Sequence, residues 1–221
     1  MKRHGFTILE LLLVLGLSAA MMTIAVPAFY RTMRGSATGN AARELMGKIS
    51  AARAYAASSR TDVAIVFPRN ESSNISDTLK YSAYRVCEVD ISGGNITFRR
   101  WVPGDNWTYL PSGVVIGRSN SGDDTFHTTS DNKTSTGASS TPSIGSVPVN
   151  LNNTNTEDIT NAVVIRMDGM LYNLQPVLIR LKQGTVSSGT VTLTPPHQSE
   201  YLPLTVLFNG KVKLFRELVS E

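Results

Sequence analysis

Glu10 is a carboxylate at the start of a long apolar segment, because the twenty residues 11–30 that follow it carry no charge. A charged side chain in a bilayer costs roughly 2.5–3.5 kcal/mol at the centre and less near the interface, so it usually pairs with an opposite charge. A cut after Gly5 would give Phe6 a new α-ammonium group, four residues from Glu10. One chain's carboxylate could then neutralise another chain's amino terminus in lipid. A Glu10 side chain that merely reaches the interface is the alternative.

Other side chains that could do chemistry form no catalytic or metal-binding pattern. The sequence lacks a Gly-x-Ser-x-Gly elbow, a phosphate loop and a His-Glu-x-x-His helix, so we predict no enzymatic activity, no cofactor and no resident metal. The single Cys87 has no partner for an intramolecular disulfide. The aspartates in one oxygen-rich stretch lack EF-hand spacing, so calcium is only a minor alternative. The scattered histidines and these aspartates are His4, His127, His197, Asp123, Asp124 and Asp131.

The amino-terminal segment resembles the leader and cleavage site of type IV pilins and type II secretion pseudopilins. It reads Lys2-Arg3-His4-Gly5-Phe6-Thr7-Ile8-Leu9-Glu10-Leu11, a short basic leader followed by glycine, phenylalanine and the glutamate. Pro27 and the aromatic pair Phe29-Tyr30 fall where that family commonly has a helix-bending proline and a bulky residue. The later helix, with its Ala/Arg-rich end, resembles the GspH/FimT-type subfamily.

This resemblance implies that a prepilin peptidase cuts between Gly5 and Phe6 and methylates the new amino group of Phe6. It implies that Glu10 is the assembly glutamate and that the partners are the peptidase, other pilins or pseudopilins, and membrane lipid. It also implies a single-pass protein of the bacterial inner membrane, with its carboxyl-terminal domain in the periplasm, which later enters a pseudopilus or pilus. The function so implied is that of a minor pseudopilin, a filament-tip subunit of type II secretion. A FimT-type minor pilin that binds DNA is the alternative.

Hydrophobic patterning predicts one long helix with two different halves. Residues 11–30 would extend about 30 Å as a helix, which matches the hydrocarbon core of a bilayer. We therefore predict a leader at 1–5, a transmembrane half at 6–30 and an amphipathic half at 31–60. A secretory signal peptide and a buried core helix are the alternatives. The apolar stripe of the helix has steps of three and four: Phe29, Met33, Ala37, Ala41, Leu45, Ile49, Ala52 and Ala56.

After Thr61 the apolar period changes to two, which predicts a β domain over 61–221 and an α+β fold with the helix packed on an antiparallel sheet. We expect seven to nine strands, with a turn at Gly93-Gly94-Asn95 and a strong hairpin signal at Asn209-Gly210. The expected strands are Val63–Phe67, Thr78–Val89, Ile96–Val102, Val114–Ile116, Ala162–Met167, Val177–Leu181, Thr190–Thr194, Leu204–Phe208 and Lys211–Phe215.

Residues 118–161 are mostly Ser, Thr, Asn, Gly and Asp. Such a composition buries too little apolar surface to offset its ordering entropy, so we predict a long exposed or partly disordered insertion, with an edge strand near Val147–Leu151. The insertion serves recognition, or it has no role; the composition leaves both open.

Lys211, Lys213 and Arg216 are the candidate contacts to nucleic acid. On a strand Lys211 and Lys213 share one side, but lysine lacks the bidentate fork that arginine offers to phosphate. The whole chain of 221 residues has a formal net charge of only +4 and 17% charged residues, which gives no argument for nucleic acid. We therefore treat DNA as the less favoured partner and a polar strand face as the simpler explanation.

Overall fold

The computed structural model describes residues 8–68, 75–116, 126–128, 142–149, 156–159, 162–194, 200–214 and 219–220. The chain divides into two compact units, Met1–Ser36 and Ala37–Glu221. Within the described part of the chain, no helix combines the length and the apolarity that crossing a membrane requires. The transmembrane half expected for residues 6–30 stays a prediction.

Helix α1 spans Ile8–Ser59, so the predicted end of the helix near Ser59 is confirmed. Over residues 8–23 of the first unit, where the structure describes the side chains, its large apolar side chains are exposed to solvent, with Ile8 exposed to 82% and Leu12 to 63%. An exposed helix that is apolar all round needs lipid or other apolar partners to cover it. The exposed apolar residues of this segment are Ile8, Leu9, Leu11, Leu12, Leu13, Val14, Leu15, Leu17, Met21 and Met22.

The second half of α1 packs through one stripe of residues against the β strands. The stripe predicted from the sequence is confirmed from Ala37 onward, because its members are buried or half-buried. The side chains of Phe29 and Met33 lie outside the described residues. Burying a residue such as Leu45 or Ile49 contributes about 1.5–3 kcal/mol each. The fully buried members are Ala41, Leu45, Ile49, Ala52 and Ala56.

The described residues form fourteen strands, so the predicted number of seven to nine was wrong. The strands are β1 Val63–Val66, β2 Ala83–Ser92, β3 Asn95–Trp101, β4 Thr108–Tyr109, β5 Val114–Ile116, β6 Phe126–Thr128, β7 Ile144–Pro148, β8 Thr156–Ile159, β9 Ala162–Ile165, β10 Val177–Ser187, β11 Thr190–Leu193, β12 Glu200–Val206, β13 Val212–Leu214 and β14 Val219–Ser220.

The predicted α+β fold with an antiparallel β domain is confirmed, and its strands form two sheets. The first has the order β8-β7-β3-β2-β1-β9, with β4 beside β2. The second has the order β11-β10-β12-β13, with β14 beside β12 and both β5 and β6 beside β10. Almost all pairs are antiparallel, but β3 and β7 run parallel, with Ile96 opposite Ile144. A parallel pair needs a long connection, which the insertion supplies.

At its described residues the insertion contributes to the core, which corrects the prediction of an exposed loop there. The edge strand predicted near Val147–Leu151 overlaps β7, which lies between β3 and β8 and is not at the edge of its sheet. Among the described residues of the insertion, Ile144, Val147, Val149 and Ile159 are completely buried. They join a second apolar cluster with Ala64 and other residues, whereas the stripe of α1 lies in another cluster with residues of both sheets, such as Ile65 and Ile179. The first sheet therefore has apolar clusters on both faces. Short apolar runs within a polar segment were enough to extend the second cluster.

Two local predictions have opposite outcomes. The turn at Gly93-Gly94 is confirmed, because both glycines have positive φ and join β2 to β3 with Ser92 opposite Asn95. The strand predicted from Thr78 was wrong at its start, since β2 begins at Ala83. Residues 78–82 form turns instead, and the Ser82 hydroxyl donates to the carbonyl of Thr78 at 2.9 Å. Such local side-chain hydrogen bonds compete with strand pairing.

Candidate functional site

The predicted processing and assembly residues lie at the start of α1. Gly5 and Phe6 are outside the described residues, as are the leader residues before them. Glu10 is in the first turn of the helix, where the positive end of the helix dipole favours a carboxylate. Its side chain is exposed, and so are the large apolar side chains next to it in sequence. An ion pair between subunits would require this arrangement, a carboxylate exposed within an exposed apolar segment.

A buried carboxylate connects the amphipathic half of α1 to the first sheet. Glu88 on β2 is 1% exposed, and its Oε1 accepts a hydrogen bond of 2.8 Å from the Tyr55 hydroxyl of α1. Its Oε2 accepts another of 2.8 Å from Nε of Arg100 on β3. The hydrogen bond from Arg100 lowers the pKa of Glu88, the Tyr55 bond acts in the same direction, and burial opposes both. Glu88 is therefore a charged anchor between helix and sheet.

A second polar connection involves the loop after β3. The Lys48 ammonium of α1 contacts Oδ1 of Asp105, whose Oδ2 accepts a hydrogen bond of 2.8 Å from the backbone N–H of Val86. Arg85 donates through Nη2 to the Asp105 carbonyl at 2.8 Å, and its guanidinium lies 4.1 Å from the ring centroid of Trp101. The ion pair holds the loop to the helix, whereas Arg85 holds the loop to β2 and contacts β3 through its cation–π interaction.

The β12–β13 hairpin carries the two lysines singled out as candidate DNA contacts. Its loop closes through two backbone hydrogen bonds of 2.8 Å between Leu207 and Gly210 and between Leu207 and Lys211. Lys211 and Lys213 are exposed and alternate with the half-buried Val212 and Leu214, so the predicted alternation is confirmed. Arg216 lies outside the described residues, so the structure groups only two of the three predicted cations.

Close backbone packing fixes this hairpin against α1. The Arg53 guanidinium of α1 donates through Nε to the Gly169 carbonyl at 3.1 Å. Gly210 has φ +71, and a Cβ added to it would lie 2.4 Å from the same carbonyl oxygen and 2.9 Å from Cδ of Arg53. Only glycine fits there. The helix, the turn after β9 and the hairpin therefore meet at one point.

The structure adds no support for a metal site at the histidines and aspartates or for a reactive Cys87. His4, His197, Asp123, Asp124 and Asp131 lie outside the described residues, and only the backbone of His127 is described, in β6. Among the described residues, no three His, Cys, Asp or Glu side chains come together as a metal site requires. Cys87 is buried, and burial raises the pKa of its thiol, so it is a core residue of low reactivity.

The sequence analysis missed the residues that join helix and sheet. Glu88 had a detectable signal, since it is an acidic residue flanked by the apolar Val86, Cys87 and Val89, and a buried charge in a strand needs a partner. No sequence signal indicated the partners of Glu88, because Tyr55 and Arg100 are respectively 33 and 12 residues away along the chain. The contact between Lys48 and Asp105 could not be predicted either, because the two residues are 57 positions apart.

No family model matches this chain, and no curated relative matches it. Among solved structures, it is similar to the type IV minor pilin FimU of Pseudomonas aeruginosa, over 80% of this chain and 87% of that one, at 11% identity and a TM-score of 0.39. It is also similar to the minor pseudopilin EpsH from the type 2 secretion system of Vibrio cholerae. One EpsH structure matches at 12% identity over 80% and 95% of the two chains, with a TM-score of 0.40. The other matches at 11% identity over 84% and 96%, with a TM-score of 0.43.

Proposed function

We propose that this chain is a minor pseudopilin of a type II secretion system, a non-catalytic subunit that enters a filament from the inner membrane. The observation that carries this proposal is the segment Gly5-Phe6 with Glu10 four residues later, directly before the uncharged residues 11–30. The exposure of the apolar side chains from Ile8 to Met22 supports it, because such a helix requires lipid or neighbouring helices as cover.

In this mechanism the chain is first a substrate and then a building block. Prepilin peptidase cleaves between Gly5 and Phe6 and methylates the new amino group, while residues 6–30 anchor the subunit in the membrane. The Glu10 carboxylate then pairs with the Phe6 ammonium of a neighbouring subunit. Each group neutralises a charge that would otherwise be uncompensated in lipid. The β domain faces the periplasm and stays attached to α1 through Tyr55, Glu88 and Lys48.

The test is the amino terminus of the full chain after co-expression with an active prepilin peptidase. We expect intact-mass analysis to show loss of residues 1–5 and an N-methylated Phe6. Co-expression with a catalytically inactive peptidase is the control and should return the unprocessed chain. A mature chain that begins at any other residue would refute the proposal.

Replacing Glu10 by alanine should separate processing from assembly. We expect Glu10→Ala to be cleaved and methylated like the unaltered chain, because the peptide bond after Gly5 is unchanged. Its recovery in sheared filaments should fall by about tenfold or more, since an unpaired ammonium group in lipid costs more than the 1.4 kcal/mol that corresponds to tenfold. Glu44→Ala, an exposed glutamate of the same helix, is the matched control. Equal filament recovery for the two variants would exclude the ion-pair role of Glu10.

A FimT-type minor pilin that binds DNA is the second candidate, supported by the exposure of both Lys211 and Lys213 on one hairpin. Under this alternative, a gel shift with duplex DNA weakens when both lysines become alanine, and the salt dependence of binding falls by about two phosphate contacts. Arg60→Ala with Arg99→Ala removes the same charge from exposed sites elsewhere and is the control. If both double variants bind equally, this role of the lysines is excluded.

A further inference from the structure

A polar cleft of about 490 Å³ lies between β3, β7, β8 and the turn that follows β9. One wall of this cleft consists of Pro142, Ser143, Gly145 and Asp158, all from the polar insertion. The opposite wall comes from the start of β3 and from the turn at residues 172–173. The side chains that give the cleft its chemistry are Asn95, Thr97, Ser143, Asp158, Tyr172 and Asn173.

Two unfavourable backbone conformations adjoin this cleft. Among the described residues five non-glycine residues have positive φ, and two of them, Ser146 (φ 59) and Leu174 (φ 53), directly follow the lining residues Gly145 and Asn173. A positive φ is unfavourable for a residue with a Cβ, and such strain persists only where the surrounding structure holds it. Strained backbone of this kind clusters at binding sites more often than elsewhere.

Specific contacts hold the strained segments in place. The N–H of Ser146 donates to Oδ1 of Asp158 at 3.0 Å, at an irregularity in the β7–β8 pairing. On the other wall, the N–H of Tyr172 donates to the Val164 carbonyl at 2.9 Å, and that of Leu174 donates to the Leu171 carbonyl at 3.1 Å. Both walls are therefore preformed, which lowers the entropic cost of binding a ligand.

The lining determines the class of ligand. It contains no lysine, arginine or histidine and has one carboxylate, so it repels phosphates and nucleic acid. One carboxylate is also too few for a calcium site built on several oxygen ligands. Two amides, two hydroxyls, a carboxylate and a tyrosine instead match the alternating hydroxyl and C–H surfaces of a sugar. We propose that this cleft binds a neutral oligosaccharide, independently of the function proposed above.

Binding is tested by titrating the full chain with three neutral trisaccharides: chitotriose, cellotriose and maltotriose. The chain is kept in a detergent without a sugar headgroup, because a maltoside would occupy the same cleft. We expect at least one trisaccharide to bind with a dissociation constant below about 10 mM, measured by saturation-transfer NMR. Binding of none of the three up to that concentration, or of calcium alone, would overturn the proposal.

Two variants test whether the trisaccharide binds in the cleft. Tyr172→Ala should weaken binding by about tenfold or more, whereas Tyr109→Ala, an exposed tyrosine outside the cleft, should bind like the unaltered chain. Because Tyr172 also packs against the second apolar cluster, Thr97→Val is the independent variant, being exposed and nearly isosteric. It removes one hydroxyl and should weaken binding by severalfold. Binding that is unchanged in Thr97→Val and equal in the two tyrosine variants would contradict the proposed site.

Discussion

Gly210→Ala is expected to destabilise the β domain by about 3 kcal/mol. The added Cβ would lie 2.4 Å from the Gly169 carbonyl oxygen, and the residue would have to keep φ +71. Neither group can move freely, because Arg53 donates to that carbonyl from α1 and the hairpin is closed by its own hydrogen bonds. For a chain of this size the thermal unfolding midpoint should fall by roughly 10 °C.

Gly104→Ala is the matched control for this prediction. Gly104 has φ +77, close to that of Gly210, but a Cβ added there meets nothing within 4 Å. It should therefore cost only the conformational strain, about 1 kcal/mol. The difference between the two midpoints measures the contact of the hairpin with the turn after β9. Equal midpoints for the two variants would mean that these segments do not pack as described.

Glu88→Ala is expected to cost about 2 kcal/mol, because it removes a buried acceptor of two hydrogen bonds, although the Arg100 side chain is 61% exposed and can be hydrated instead. The Tyr55 hydroxyl and the Arg100 guanidinium would both lose their acceptor, and α1 would lose a connection to β2. Asp90→Asn on the same strand is the control, because Asp90 is 61% exposed and lies 3.9 Å from the exposed Arg99. That substitution should cost less than about 0.5 kcal/mol.

The pH dependence of stability gives this second prediction an independent readout. The pKa of Glu88 is lower in the folded chain than in the unfolded chain. Its contribution is therefore fully present above the unfolded pKa and is lost as the pH falls through the folded pKa. Glu88→Gln should show a smaller loss of stability on acidification below about pH 4 than the unaltered chain. An equally steep acid dependence in both proteins would exclude Glu88 as a charged anchor.

Local patterns were predictable where neighbouring residues alone decide the structure. The stripe through Leu45 and Ile49 follows from the helical period, and the Gly93-Gly94 turn follows from the freedom of glycine to adopt positive φ. The start of β2 was not predictable in this way. The apolar residues near Leu79 fit a strand, but they are buried in turns whose side-chain hydrogen bonds replace strand pairing.

The insertion shows why composition alone was misleading. Its average is polar, yet a few apolar residues such as Ile144 and Ile159 are completely buried. Their burial depends on β7 lying parallel to β3, a pairing between residues almost fifty positions apart. No local period encodes such a pairing, so neither the second apolar cluster nor the polar cleft could be predicted.

The sequence by itself determined the spacing of Gly5, Phe6 and Glu10 before an uncharged segment, the end of the long helix near Ser59 and the strand-rich character of residues 61–221, because each depends on spacing along the chain. Only the tertiary structure decided that two sheets form, that Tyr55 and Arg100 meet at Glu88, that Gly210 fits against Gly169 and that the insertion forms one wall of a cleft. These features join segments that are distant in sequence, and they exist only after the apolar surfaces of α1 and the sheets have been buried together.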